Sequence, residues 1–329
     1  MNEKLLKEIS DKLTYNNQLN YQVLMSNIIV NSKIDSDDKE ILLLLLQDRD
    51  RNYVRINHNK QCFDNIKEYL RVLQPIEVEK SFLKRVGGNS DGGYVMYDDK
   101  IRGGGDNLKA ISLGVSDYSP WDLEMADYGY KVIEYDGSIE NTPYPNHPNI
   151  KFHKKFVGNS KDENFISLEE VLKENGIKNE SEIVCGNILQ IDIENFEWEV
   201  LEEIDIKLLA DNFSQVIFEF HGCNPEEQDG FERRIKQLKR LDEYFVPIHL
   251  HLNNHGKIFY SNGLFFSTTL EVSYVNKKML EKYALCLDNK ISEGVDKDLD
   301  FPVYLPNPEI PIRYAWLESL FINGGGGEC

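Results

Sequence analysis

The stretch from Lys109 to Ser138 constrains this chain most, because an apolar strand ending in glycine, a helix start and a second strand ending in an acidic residue succeed one another there. Ala110-Ile111-Ser112-Leu113-Gly114 reads as a buried strand, Ser119-Pro120 opens a helix, and Lys131 to Asp136 is the next strand. Two such strands joined by a helix form half of a nucleotide site. Gly114 removes a side chain where the backbone turns tightly under a ligand, and Asp136, about 20 residues on, can offer its carboxylate to both hydroxyls of a ribose. The competing reading is a plain βαβ unit with an ordinary turn.

The residues after Gly114 narrow the ligand. A dinucleotide site needs further glycines so that a diphosphate can rest on the helix N-terminus, but the chain continues Val115-Ser116-Asp117-Tyr118. Asp117 would repel a phosphate. S-adenosylmethionine (SAM) carries a ribose, an amino-acid end and a positive sulfur but no phosphate, so it suits this frame better than NAD.

Around this unit the chain alternates. Strands are expected at 109–114, 131–135, 149–154, 188–193, 214–220, 245–251 and 263–274, with helices between most of them. Ser167-Leu168-Glu169-Glu170 is a capping box, Glu197 to Leu209 reads as one helix, and Glu226 to Leu241 as another. No strong helical run separates the last two strands, and Asn253 to Gly256 and Ser261 to Gly263 signal turns, so an antiparallel pair should close one edge. The expected fold is therefore α/β, a doubly wound Rossmann-like sheet with an antiparallel edge strand, spanning residues 79–323. Residues 1–78 look like a helical N-terminal subdomain, with apolar spacing at Leu5, Ile9 and Leu13, then Val23 to Val30, Ile41 to Leu46, and Ile66, Leu70 and Leu73. Asp35 to Asp38 supplies N-cap residues for its third helix. Packing is its default role; covering a site or forming a homo-oligomer contact are the alternatives. Residues 324–329, four glycines and Glu328-Cys329, read as a flexible tail.

Composition excludes several classes. A net charge of −19 opposes nucleic-acid backbones, and the one basic concentration, Arg233 to Arg240, lies on a helix whose inward face is Phe231, Ile235 and Leu238. Five scattered cysteines show no disulfide framework or zinc spacing and point to a reducing compartment. The longest apolar run, Ile41 to Leu46, is too short for a bilayer, and Met1-Asn2-Glu3-Lys4 enters a charged amphipathic segment rather than a leader. A cytoplasmic protein without nucleic-acid or membrane partners is expected.

Ligands of open α/β sheets sit beyond the carboxyl ends of the strands, where this chain is unusually polar. Leu189 to Glu194 carries Asp192, Val216 to His221 carries Glu219 and His221, Ile248 to His251 carries His249 and His251, and the last strand carries Glu271. Polar members two apart share a strand face, and burying them unpartnered costs about 1–3 kcal/mol each, so they imply a wet site. Asp192 at a central strand tip is the foremost catalytic candidate. Glu194 and Glu197 suit the start of the next helix, while Glu219 and His221 are also compatible with a buried hydrogen-bonded pair. His58, His147, His153 and His255 read as surface. Arg85 to Tyr94, glycine-dense around an Arg, an Asp and a Tyr, reads as a loop over cofactor or substrate, with a hairpin turn as the plainer alternative; Arg102 to Asp106 reads as a connection.

With these segments the chain resembles the FkbM-like branch of SAM-dependent methyltransferases over roughly residues 80 to 275. The resemblance rests on Arg85 to Tyr94, Leu113-Gly114-Val115-Ser116-Asp117, Glu134-Tyr135-Asp136, Ile191-Asp192-Ile193-Glu194 with Glu197-Trp198, Phe218 to His221, and His249 to Asn254. It implies methyl transfer from SAM to an oxygen of a sugar-like or other small metabolite. Gly114, Ser116 and Asp117 would line the cofactor, with Tyr94 above it, Asp136 would hold the ribose, and Asp192 would stand at the reaction centre with His221 and His251. Two departures stand out. Many relatives have a Gly-x-Asn-x-Gly turn after the first strand and a glycine where Asn195 stands.

The expected chemistry is proton removal from an acceptor hydroxyl by Asp192 or His221, oriented by His251 and Glu219. A divalent cation on Asp192, Glu219 and a histidine is a variant, placed second because no spacing specifies metal ligands. The rivals are an NAD-dependent enzyme and a non-catalytic nucleotide-binding module.

Overall fold

The computed structural model describes residues 3–31, 33–35, 38–39, 42, 54–98, 108–159, 162–177, 186–279, 296, 298–305 and 307–312. The expected third N-terminal helix and its caps, the Arg102 to Asp106 connection and the glycine tail lie wholly or largely outside these residues.

In chain order the strands are β1 (Val54–Ile56), β2 (Leu83–Val86), β3 (Tyr94–Tyr97), β4 (Lys109–Leu113), β5 (Lys131–Tyr135), β6 (Ile150–His153), β7 (Phe156–Val157), β8 (Phe165–Ile166), β9 (Ile188–Ile191), β10 (Gln215–Phe220), β11 (Phe245–Leu252), β12 (Ile258–Ser261), β13 (Leu264–Ser267) and β14 (Leu270–Asn276). The helices are α1 (Glu3–Val30), α2 (Lys60–Val72), α3 (Pro120–Asp127), α4 (Leu168–Glu174), α5 (Glu197–Glu203), α6 (Ile206–Asn212) and α7 (Gln228–Leu241).

Seven strands form the central sheet in the order β11-β14-β10-β9-β4-β5-β6. Neighbours are parallel from β10 through β6, whereas β14 runs antiparallel to both β10 and β11. The expected antiparallel pair thus closes one edge, and its reversed strand is the inner member. This is a doubly wound α/β sheet with an antiparallel strand next to one edge.

Its central strands are buried on both sides, so they read as apolar runs that alternate between two packing layers. Ala110, Val132, Ile188 and Ile217 meet Trp121, Met125 and Ala126 of α3 on one face. Ile111, Leu113, Leu189, Ile191 and Phe218 face the other layer, where α4 through α7 contribute Val171, Leu201, Leu209 and Leu238. Ser119-Pro120 begins α3 as expected, and the Ser167–Glu170 capping box closes on α4 with both reciprocal bonds.

Three expectations change. The N-terminal region is not wholly helical, because Val54 to Ile56 forms β1 in parallel with β12 in a small sheet that β13 completes. Its helix α2 packs through Tyr69 against Phe231 of α7 and Phe266 of β13, at ring separations of 5.3 and 5.1 Å. The helix expected over 197–209 is two, since Asp205 caps the amide of Lys207 and starts α6 afresh. The strand expected over 263–274 is also two: at Thr268 the chain leaves the small sheet, and its carbonyl takes the amide of Cys223 before β14 joins the large one.

The basic concentration on α7 is paired within the chain, Arg233 with Glu202, Arg234 with Glu227 and Lys239 with Glu68. Cys62 and Cys223 are free and buried. No helix among the described residues is long and apolar enough to cross a membrane.

Candidate active site

Register brings the sequence candidates into one transverse row. Leu113 lies opposite both Ile191 and Tyr135, so the next residues, Gly114, Asp192 and Asp136, stand side by side. Phe218 lies opposite Ile191, which sets Glu219 beside Asp192, and Glu219 pairs with Glu271, which pairs with His251. The row Asp136, Gly114, Asp192, Glu219, Glu271, His251 therefore crosses six adjacent strands at their carboxyl ends or, for β14, its amino end.

At the Gly114 end, φ is +84°, and a Cβ there would fall 1.6 Å from the Asp192 carbonyl oxygen, so no other residue fits. Ser116 and Asp117 are exposed. Asp136 accepts the amides of Val115 and Ser116 on Oδ2, at 2.9 and 3.0 Å, and the amide and hydroxyl of Ser138 on Oδ1, at 2.7 and 2.6 Å. Burial pushes Asp136 up, but these donors hold it below the usual carboxylate value. The cradle would suit SAM on two grounds: Asp136 sets a carboxylate beside the Gly114 turn, and the acidic row next to it suits a positive sulfur. A ribose would exchange for the exposed Ser138 hydroxyl, which is free to rotate away.

Ser116 has φ +60° and Asn195 φ +80°. Both are left-handed positions, which Gly takes most readily and Asn next.

The middle of the row is a buried acidic cluster. His221 Nε2 lies 3.9 Å from Asp192 Oδ1, 3.7 Å from Glu219 Oε1 and 3.6 Å from Glu194 Oε2, while its Nδ1 is 3.1 Å from Glu197 Oε1. Glu197 opens α5, as read from the sequence, and is completely buried; Oε1 also takes the Ile193 amide. Trp198 Nε1 donates to the His221 carbonyl at 2.8 Å and fixes that backbone. Burial raises Asp192 to about 7 against the pull of His221, and Glu219 rises well above its usual value through burial and the neighbouring Asp192 and Glu271 charges. Burial alone would lower His221, but the Glu197 bond and the surrounding carboxylates lift it to about 9, so it is cationic at neutral pH.

Tyr94 belongs to this cluster. Arg85 to Tyr94 proves to be the tip of the β2–β3 hairpin, stapled by Arg85 donating to the carbonyls of Gly88 and Ser90 at 2.7 and 2.9 Å. The Tyr94 hydroxyl reaches Asp192 Oδ2 and Glu219 Oε2, each at 3.4 Å, and burial keeps it protonated. The hairpin also brings the charge of Asp91 to bear on Asp192 and Glu219.

His251 closes the row, fully clamped: Nδ1 lies 2.9 Å from Glu271 and Nε2 2.8 Å from Glu309. His249 meets Asp300 at 2.8 Å, and Asn254 accepts the Tyr304 amide at 2.8 Å. Residues 298–305 and 307–312 are thereby tied across the strand ends. Glu309 and Asp300 carry no signal in the sequence, since only the fold brings them to the histidines. Nor does the sequence single out a further buried pair, Asp122 and Glu134, one step below the row. The hydroxyls of Ser112 and Ser119 donate to Asp122, and burial pushes Glu134 up to about 8.

No protein-family profile and no curated protein matches the chain. Among solved structures it is similar to WbdD, solved with the kinase inhibitor LY294002, at 15% identity and TM-score 0.33 over 52% of this chain and 36% of that one. It is similar to a TehB-like SAM-dependent methyltransferase from Corynebacterium glutamicum at 9% identity and TM-score 0.29, over 53% and 82% of the two chains. A SAM-dependent methyltransferase from Agrobacterium tumefaciens gives 9% identity and TM-score 0.31, over 53% and 58%. The match thus spans about a third of WbdD and under two thirds of the Agrobacterium protein. These likenesses are distant; strand order and register define the fold.

Proposed function

We propose that this protein is a SAM-dependent O-methyltransferase of the FkbM-like kind, acting on a hydroxyl of a sugar or other small metabolite. The observation that carries the reading is the row in which the Gly114 turn and Asp136 adjoin the Asp192, Glu219 and His221 cluster. An acidic crevice favours a sulfonium and disfavours a diphosphate, which is the argument against NAD.

Gly114, Ser116 and Asp117 line the cofactor, and Asp136 exchanges Ser138 for the ribose. When bound, SAM supplies an electrophilic methyl group on a positive sulfur. The chain holds the acceptor hydroxyl beyond Asp192 and removes its proton. Asp192, raised to about 7, suits that task near neutral pH, whereas His221 already holds its proton and compensates the surrounding carboxylates. Tyr94, within reach of both Asp192 and Glu219, donates its one proton to either and orients the pair. His251, bonded at both ring nitrogens, positions Glu271 and the segment carrying Glu309.

Calorimetry with SAM and with NAD, and then transfer of labelled methyl to a panel of nucleotide-sugars, tests the reading. SAM binding with label in an acid-stable ether is expected. Absence of SAM binding, or preferential NAD binding, would overturn it.

A further inference from the structure

We propose that Asp192, Glu219 and His221 form a site for one divalent cation of the Mn²⁺ type, which the acceptor hydroxyl enters as an additional ligand. One ligand atom from each lies within 4.8 Å of the others. Glu219 Oε1 accepts Asn253 Nδ2 at 2.8 Å, but neither Asp192 nor Glu219 is close enough to His221 Nε2 to be hydrogen-bonded to it. His221 Nε2 stands 3.9 Å from Asp192 and 3.7 Å from Glu219, too far for hydrogen bonds of about 2.7–3.2 Å. Two ligands each about 2.1 Å from an ion stand about 3 Å apart when adjacent and about 4.2 Å apart when opposite. The gaps fall in that range.

A second, independent observation is the holding of His221. Its Nδ1 is tied to Glu197, leaving Nε2 directed at Asp192, Glu219 and Glu194, an arrangement in which a carboxylate sets the ring for metal ligation. Glu197 is completely buried, and its Oε2 has no hydrogen-bond partner. Among the described residues the ion pairs of Asp192, Glu194, Glu197 and Glu219 are all with His221. One imidazole thus faces the carboxyl groups of Asp192, Glu197 and Glu219, with the exposed Glu194 at the rim, and a bound cation would take the place of the Nε2 proton. Two oxygen donors with one imidazole suit Mn²⁺, which accepts both kinds of donor.

The site stands on geometry alone, while its role rests on the methyl-transfer reading: in the ion-bound form Asp192 acts as a ligand instead of a free base, and the ion would lower the pKa of the bound hydroxyl, whose proton leaves to water. The test titrates Mn²⁺ into chelator-treated full-length protein without SAM, monitored by the EPR signal of free Mn²⁺. One ion per chain is expected, with nitrogen coupling in pulsed EPR. Asp192→Asn and His221→Gln should each weaken binding at least about tenfold, His221→Gln should abolish the nitrogen coupling, and Glu197→Gln should weaken binding about tenfold through the ring's orientation. Glu202→Gln, on the outer side of α5, should bind as the parent does. Circular dichroism and urea midpoints of the ion-free variants show whether each has folded. A parent that binds no Mn²⁺ at millimolar concentration, equal binding in the folded Asp192 and His221 variants, or binding without nitrogen coupling would overturn the site. SAM calorimetry on the same preparations separates the two proposals. SAM binding without Mn²⁺ binding overturns the cation site alone, and Mn²⁺ binding without SAM binding overturns the methyl-transfer reading alone.

Discussion

Gly114 and Asp192 meet backbone to backbone: the Asp192 amide donates to the Leu113 carbonyl at 2.8 Å, and a Cβ on Gly114 would lie 1.6 Å from the Asp192 carbonyl oxygen. The cofactor turn and the leading catalytic candidate are therefore one mechanical unit. Gly114→Ala should cost about 2–4 kcal/mol, since neither backbone can give way without moving the other strand end. Urea unfolding measures this, and a variant within about 0.5 kcal/mol of the parent would show that the close approach is not real.

Asp192→Asn should lower methyl transfer by about 10²–10⁴-fold while SAM affinity changes only a few-fold, because Asp136, proposed to hold the ribose, stands on the other side of Gly114 from Asp192. Turnover retained at the parent's rate would remove Asp192 from the chemistry.

The strap carrying Asp300 and Glu309 has a defined pH response. Burial would lower His251, but Glu271 and Glu309 raise it well above 6.5, so its stabilising contribution is complete below pH 6.5 and is lost as pH rises through the higher folded value. Asp300 has the opposite sign: burial raises it, yet His249 holds it below 3.8, so its contribution is present above pH 3.8 and is lost as pH falls through the folded value. The stability difference between parent and Glu309→Gln should reach about 1.5–3 kcal/mol near pH 6 and shrink steadily in alkali. A difference independent of pH would sever His251 from the strap.

Glu134 offers a cleaner titration. Its folded value, raised from 4.5 to about 8 by burial and then by Asp122, means that the folded state keeps a proton that the unfolded chain releases, and stability falls as pH rises through that window. Glu134→Gln fixes the neutral form. It should match the parent within about 1 kcal/mol at pH 5 and exceed it by at least about 1 kcal/mol at pH 9, as read from urea midpoints. A variant less stable than the parent at pH 9 would mean that the fold favours the ionised form of Glu134 and that its value is not raised.

Asn195→Gly should leave the fold intact and raise stability by up to about 1 kcal/mol, since φ of +80° is strained for any side chain. Asn195→Val should lower it by more. Equal stability of the Gly and Val variants would contradict the left-handed turn.

The sheet itself was legible because central parallel strands must be apolar on both faces, and β4, β5, β9 and β10 say so in their residues. Glycine and capping signals marked the turns and helix starts for equally local reasons. The breaks at Asp205 and Thr268 were missed because a cap and a crossing between sheets interrupt runs whose hydrophobic pattern continues. β1 was missed because three residues acquire strand character only by pairing with β12. Within the site, Asp192, Glu219, His221 and His251 stood out by polarity at strand ends. Tyr94 was singled out for its glycine-dense segment; that the segment is a hairpin bringing the Tyr94 hydroxyl to Asp192 and Glu219 was invisible in one dimension.

By itself the order of residues determined a doubly wound sheet, a glycine turn and an excess of carboxylates at the strand tips, since each arises from side-chain period, backbone freedom or charge within a few neighbours. Only the tertiary structure decided which of those carboxylates share a row, that Glu197 holds one face of His221, and that Glu309 and Asp300 close on His251 and His249. Strand register and segment docking depend on packing between residues far apart in the chain, and a shift of one position would have turned each of these side chains to the opposite face.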